Sequence, residues 1–226
     1  MKIIRLQHNR LVLAICCILL VMLILHFLFA TESENEYCAV TKKVHQKMKL
    51  ILQRTEEAMN ALQLTYFLCY ESLWGALKIE GPLPWQNKIQ LCVLNEELNA
   101  VDEGFLVRTF KRYRLHITYN SADGTYHITL VNDYSCEVAL IVFEKDSITH
   151  QMRRVGWKNR LLPPGACELL HCFPPRLLSP PLPQVNFFGM KMPVAREEIE
   201  IQKYLFPNSW WKDIVPDKCK QRLNIS

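Results

Sequence analysis

At 226 residues, half of them hydrophobic, the chain has enough apolar side chains for one packed domain and a further segment, against a usual span of roughly 100–200 residues per domain. Its net charge of +5 is spread along the sequence, which argues against a nucleic-acid partner, because such a binder concentrates its basic residues in a stripe. The densest basic group, Arg108, Lys111, Arg112 and Arg114, fits the solvated face of one element, and no phosphate-loop, dinucleotide, zinc-protease or Gly-x-Ser-x-Gly signature is present.

Residues 11–30 form a nearly unbroken apolar run, close to the roughly 20 residues that cross a bilayer as a helix. Lys2, Arg5 and Arg10 precede it, and Glu32, Glu34 and Glu36 follow it. A cationic flank stays in the cytosol, so the pattern predicts a type II protein: a cytosolic tail over 1–10, a transmembrane signal anchor over 11–30, a stem over 31–39 and a luminal domain over 40–226 in the endoplasmic reticulum or Golgi. Cleavage as a signal peptide is the competing expectation. It is disfavoured by the length of the run and by the large Leu28 two positions before Ala30. His26 fits an interfacial residue, and Cys16 and Cys17 fit packing positions within the span.

Seven cysteines follow the run: Cys38, Cys69, Cys92, Cys136, Cys167, Cys172 and Cys219. An oxidising lumen favours disulfides, and an odd number leaves at least one thiol outside an intramolecular pair. Cys167 and Cys172 with His171 also have the makings of half a zinc site, but four ligands at firm spacing are not evident, so a disulfide or buried thiols are favoured.

Along the luminal part, residues 40–64 carry apolar side chains at helical spacing without Gly or Pro, which predicts an amphipathic helix. Residues 65–70 suit a short buried strand, ending at a small-residue turn from Ser72 to Ala76. A corner at Gly81, Pro84 and Trp85 leads into a strand over 89–94. Residues 114–119 and 125–132 alternate around Ser121-Ala-Asp-Gly124, a hairpin signal, and 136–143 is apolar enough to be a central strand. An edge strand over 151–157 follows, then a proline-rich wrapping loop over 163–183 and a helix over 195–204 that opens with acidic residues. Trp210 and Trp211 are expected as core or lid aromatics, and Asn224-Ile-Ser226 is an N-glycosylation pattern at the chain end, expected to stay unmodified. Together these elements predict an α+β domain with a mixed sheet and flanking helices.

The stretch from Ser72 to Gln90 carries a composite motif. Ser72, Leu73, Gly75, Ala76, Gly81, Pro84, Trp85 and Ile89 match, with Lys78 in an arginine slot, the pattern of the LicD family, which includes the fukutin and fukutin-related transferases. Three further stretches near the C-terminus, around Phe173, residues 185–193 and residues 204–210, resemble that family's closing motifs in the right order. The resemblance implies a nucleotidyltransferase-like fold, in which Ser72, Gly75 and Lys78 would bind the phosphates of a nucleotide. It also implies transfer of a phospho-alditol or similar group onto a glycoprotein glycan, with Mg²⁺ or Mn²⁺ on acidic side chains. Here the acidic slots hold Gln86, Asn87, Lys88 and Gln90, Ala139 fills a further one, and Glu71 stands where Gly is usual. Hard cations want oxygen ligands, so these degenerate positions leave no catalytic residue to assign and no cofactor to expect. The nearest surviving acids, Glu96, Glu97 and Asp102, fall beyond the strand. The expectation is a catalytically degenerate relative acting in or near glycan modification, with a glycosyltransferase or a glycoprotein as its partner. The alternative is a transferase that still works, with Mg²⁺ or Mn²⁺.

Overall fold

The computed structural model describes residues 15–22, 38–163 and 166–212, with Val215 and Cys219. The chain forms two compact units, residues 1–37 and 38–226. Of the first, residues 15–22 are helical and exposed. Among the described residues no helix is long and apolar enough to cross a membrane; most of the expected span, the acidic stretch before Tyr37 and Asn224 lie outside them.

The second unit opens with helix α1, Lys42–Ala61. The Thr41 side chain caps it by accepting a hydrogen bond from the Val44 amide at 3.4 Å. Met48, Ile51, Leu52, Thr55, Ala58 and Met59 recur at the 3- and 4-residue spacing of one helix face, and all are buried. That face packs on the longest strand of the sheet. The helix stops at Leu62 and Gln63, the latter at φ 56°.

The main sheet has the order β1-β2-β5-β4-β3, with β6 added alongside β5. Its strands are β1 Tyr66–Leu68, β2 Lys88–Leu94, β3 Leu115–Asn120, β4 Thr125–Leu130, β5 Asp133–Lys145 and β6 Met152–Arg154. Only β2 and β5 run parallel; the remaining pairs are antiparallel. The 13-residue β5 is central, as its apolar run required. The hairpin turn between β3 and β4 places Gly124 at φ +62°, where a Cβ would stand 2.2 Å from the Val155 carbonyl oxygen. Both the turn and the close approach of the chain after β6 therefore require glycine there.

Between β1 and β2 lies helix α2, Tyr70–Ile79, closed by Glu80 in the left-handed conformation. Helices α3, Asn95–Asn99, and α4, Glu103–Arg112, follow β2. Helix α4 buries Leu106, Thr109 and Phe110 and leaves Arg108, Lys111 and Arg112 in solvent. The short helices α5, Trp157–Arg160, and α6, Cys167–Leu170, precede a separate hairpin of β7, Gln184–Phe187, and β8, Met190–Pro193. A further helix, α7, is Glu200–Leu205.

Three expectations need correction, and one element is new. The strand over 151–157 shrinks to three residues, because Gly156 at φ +129° turns the chain into α5. The helix over 195–204 starts later, because Glu197 and Glu198 sit at φ 61° and 41°, and Arg196 is tied to the Ser179 and Pro180 carbonyls. The β7–β8 hairpin was not anticipated. Trp211 is half exposed and stacks edge-on against the half-buried Trp210, so of the two expectations for the pair, core and lid, Trp211 does not meet the first.

Cys38 pairs with Cys219, Cys69 with Cys92 and Cys167 with Cys172, while Cys136 is a buried free thiol. The two cysteines of the possible zinc half-site are thus bonded to each other. The Cys38–Cys219 bridge joins residues 181 positions apart, the longest loop closed in the chain. Cross-links over such loops restrict the unfolded chain most, so the paired change Cys38→Ser, Cys219→Ser should lower stability by about 2–5 kcal/mol. Urea unfolding with and without the bridge measures this; equal midpoints would contradict it.

Candidate functional site

Alternation along three neighbouring strands builds one face. Ile89, Leu91 and Val93 of β2 turn into the core, so Lys88 and Gln90 turn the other way. Parallel register sets Lys88 beside Glu137 and Gln90 beside Ala139 on β5, and antiparallel register sets His127 of β4 beside Ala139. Above this face, Tyr70, Asp123, Arg154, His171 and Phe206 complete the walls of a cleft of about 280 Å³. Of the positions singled out in the sequence, Lys88, Gln90 and Ala139 line it, and Gln86, Ser72, Gly75 and Lys78 do not.

The reasons are local. Ser72 is wholly buried, and its hydroxyl accepts the Gln90 amide at 2.8 Å. The Gln90 side-chain oxygen accepts the Glu71 amide at 3.1 Å, so a helix-start N–H that would otherwise face an anion is already taken. Gln86 donates to the Glu71 carboxylate and accepts the Leu83 amide at 3.2 Å. Gly75 is a packing position: a Cβ there would lie 2.3 Å from the Gly81 carbonyl oxygen. Lys78 lies over the Trp74 ring, 4.9 Å from its centroid. The expected phosphate-presenting turn is therefore a sealed structural clasp.

The charges in the cleft form two groups. Lys88 binds one Glu137 oxygen at 2.8 Å, and His127 meets the other at 3.1 Å through Nδ1. Burial alone would raise the Glu137 pKa, but hydrogen bonds and charge from Lys88, with help from His127, hold it below the ordinary carboxylate value. Across the cleft, the Arg154 guanidinium donates to the Asp123 carbonyl and the Thr125 hydroxyl, both at 3.2 Å. No carboxylate lies within ion-pair reach of Arg154 among the described residues; Asp123 instead pairs its own carboxylate with Lys158 at 3.4 Å.

His171 shares a 2.7 Å hydrogen bond with the Tyr70 hydroxyl through Nδ1. Burial and then the Arg154 charge lower the His171 pKa, and burial raises that of Tyr70, so both are neutral near pH 7. The Cys167–Cys172 disulfide closes the loop that carries His171, and a bridge from Phe173 to Met152 anchors that loop beside Arg154.

A divalent metal does not fit these side chains. No three His, Cys, Asp or Glu residues converge among the described residues, and Lys88 neutralises the carboxylate of Glu137. Glu97 accepts the Thr65 amide at 2.5 Å and Asp102 caps α4, so neither acid substitutes for a ligand. Sequence reasoning missed Tyr70, Arg154 and Phe206, which come from three separate segments with no shared spacing to betray them.

Because Glu137 titrates below its unfolded value, its pairing stabilises the fold above about pH 4.3 and is lost as pH falls through the lowered pKa. Glu137→Gln should therefore cost about 1 kcal/mol at pH 7, with the gap to wild type closing as pH drops toward 3. Urea titrations across that range would reject this if the gap were constant.

Three comparisons with known proteins bear on the site. No curated protein matches this chain. The crystal structure of the lincosamide antibiotic adenylyltransferase LnuA, lincomycin-bound, aligns over 83% of this chain and 98% of that one, at 12% identity and a TM-score of 0.44, too remote a likeness to carry an argument. The model of the family described as LicD/FKTN/FKRP, nucleotidyltransferase domain, matches residues 63–197, a stretch that contains α2, the whole main sheet and every cleft-lining residue but Phe206. With more than half of its length matched by that model, the chain belongs to the LicD family.

Proposed function

We propose that this protein is a catalytically degenerate LicD-family member: a membrane-anchored luminal domain that binds a ligand or partner without metal-dependent transfer, in or near glycan modification. The observation that carries the reading is the Lys88–Glu137–His127 cluster on the face where the family resemblance puts metal-binding acids. A positive side chain there opposes a divalent cation. Losing a single electrostatic stabiliser of a transition state typically costs roughly 10²–10³ in rate, and here a whole ligand set is replaced.

The apolar run over 11–30 with its charged flanks supports the anchor, and three disulfides suit an oxidising lumen of the Golgi or endoplasmic reticulum. A glycosyltransferase or a glycoprotein is the partner this setting suggests.

Calorimetry on the full-length chain in detergent tests the loss of metal dependence. Any binding of CDP should change by less than about threefold, under 1 kcal/mol, between EDTA and added Mg²⁺ or Mn²⁺. Micromolar binding that appears only with metal would restore the transferase reading. For the anchor, chain synthesised with microsomes should resist added protease until detergent is present; digestion of the residue 38–226 unit in intact vesicles would refute a luminal domain.

A further inference from the structure

We propose that the cleft over β2, β4 and β5 is a metal-independent site for a compact phosphate monoester, such as a sugar phosphate, anchored by Arg154. The inference rests on the degenerate reading above and adds a ligand class to it.

The first support is charge. Lys88 is balanced by Glu137 and Lys158 by Asp123, which leaves Arg154 as a cleft cation bonded only to neutral oxygens among the described residues. Its two bonds use Nε and Nη2, so the Nη1 hydrogens remain for a ligand. A guanidinium held from one edge presents the remaining donors in a fixed plane, the geometry that suits phosphate oxygens.

The second support is the set of neutral donors around it. Gln90 commits its side-chain oxygen to the Glu71 amide, which fixes the amide and leaves Nε2 without a partner among the described residues. His171 lines the same cleft and can take the Tyr70 hydroxyl hydrogen at Nδ1, which leaves Nε2–H as a neutral donor; His127, which gives its Nδ1 hydrogen to the Glu137 carboxylate, is not one of these donors.

The third support is size. At about 280 Å³ the cleft lies just below the roughly 300–1,000 Å³ of pockets for drug-sized ligands, a volume that suits a phosphate and one sugar ring. Tyr70 and Phe206, packed edge to face at 5.8 Å, supply an apolar wall for such a ring.

The test is calorimetry on the full-length chain in EDTA with inorganic phosphate, glucose 6-phosphate and CDP, for wild type and Arg154→Gln. Glucose 6-phosphate should bind most tightly, and Arg154→Gln should weaken it and phosphate at least about tenfold. Because this substitution also removes bonds to Asp123 and Thr125, a second measurement uses the unaltered chain: phenylglyoxal modification of Arg154, read by peptide mass, should be slowed by glucose 6-phosphate. No phosphate binding in EDTA, binding indifferent to Arg154→Gln, or labelling unaffected by ligand would overturn the site. CDP binding tenfold tighter than glucose 6-phosphate would overturn the compact-ligand assignment. CDP binding that needs Mg²⁺ or Mn²⁺ would instead defeat the degenerate reading, whereas silence toward all three probes with and without metal defeats this inference and leaves that reading standing.

Discussion

The parallel pairing of β2 with β5 sets nearly everything that happens at the cleft. Its register fixes Lys88 opposite Glu137 and Gln90 opposite Ala139, and strand alternation then puts all four on the same face. Slipping the register by one residue would turn Ile89 and Leu91 outward and bury Lys88 and Gln90 in the core. The core prevents that: Ile89, Leu91, Val138, Leu140 and Val142 are almost entirely excluded from water on the side where α1 packs. The apolar half of each strand therefore positions the polar half.

The second constraint is the clasp between β2 and the start of α2. Gln90 contributes its amide to Ser72, its carbonyl to Cys69 and its side-chain oxygen to Glu71, while Gln86 holds the Glu71 carboxylate. Unpaired polar groups in this half-buried turn would cost about 1–3 kcal/mol each, so the neutral amides of Gln86 and Gln90 have a structural use of their own. A disulfide from Cys69 to Cys92 fastens the same junction. Replacing Gln90 by an acid would remove no side-chain oxygen, yet it would set a negative charge against Glu71 across this clasp.

How much of this was legible in the sequence depended on the range of the interaction. The α1 face, the central position of β5 and the Gly124 turn follow from local periodicity and turn chemistry, and they appeared where expected. That Lys88, Gln90 and Ala139 belong to one site was legible in the sequence, and the strand register brings them to one cleft. The later start of α7 was not, because Arg196 is held by carbonyls 16 and 17 residues earlier in the chain. Nor was the roof of the cleft: Arg154 sits on a three-residue strand and Phe206 beyond the end of a helix, and only the assembled sheet brings them over His127. Ser72 and Gly75 matched a motif by identity and Lys78 by charge, and in the fold Ser72 binds the Gln90 amide, Gly75 admits the Gly81 carbonyl and Lys78 lies over Trp74.

On the degenerate reading proposed above, the lack of a carboxylate set at Lys88, Gln90 and Ala139 and the surplus of positive charge are two sides of one arrangement. A cleft with several carboxylates on β2 and β5 would be strongly negative until a divalent cation neutralised it, and Arg154 would then face acids. With Lys88 and Ala139 in those places, Glu137 is spent on Lys88 and the carboxylate of Asp123 on Lys158. Two unit charges 4 Å apart interact by about 4 kcal/mol at the effective dielectric of a protein surface, enough to decide which ion enters. On that reading the pairs that oppose a divalent cation also leave Arg154 bonded only to neutral oxygens among the described residues, so one arrangement would disfavour cations and favour anions.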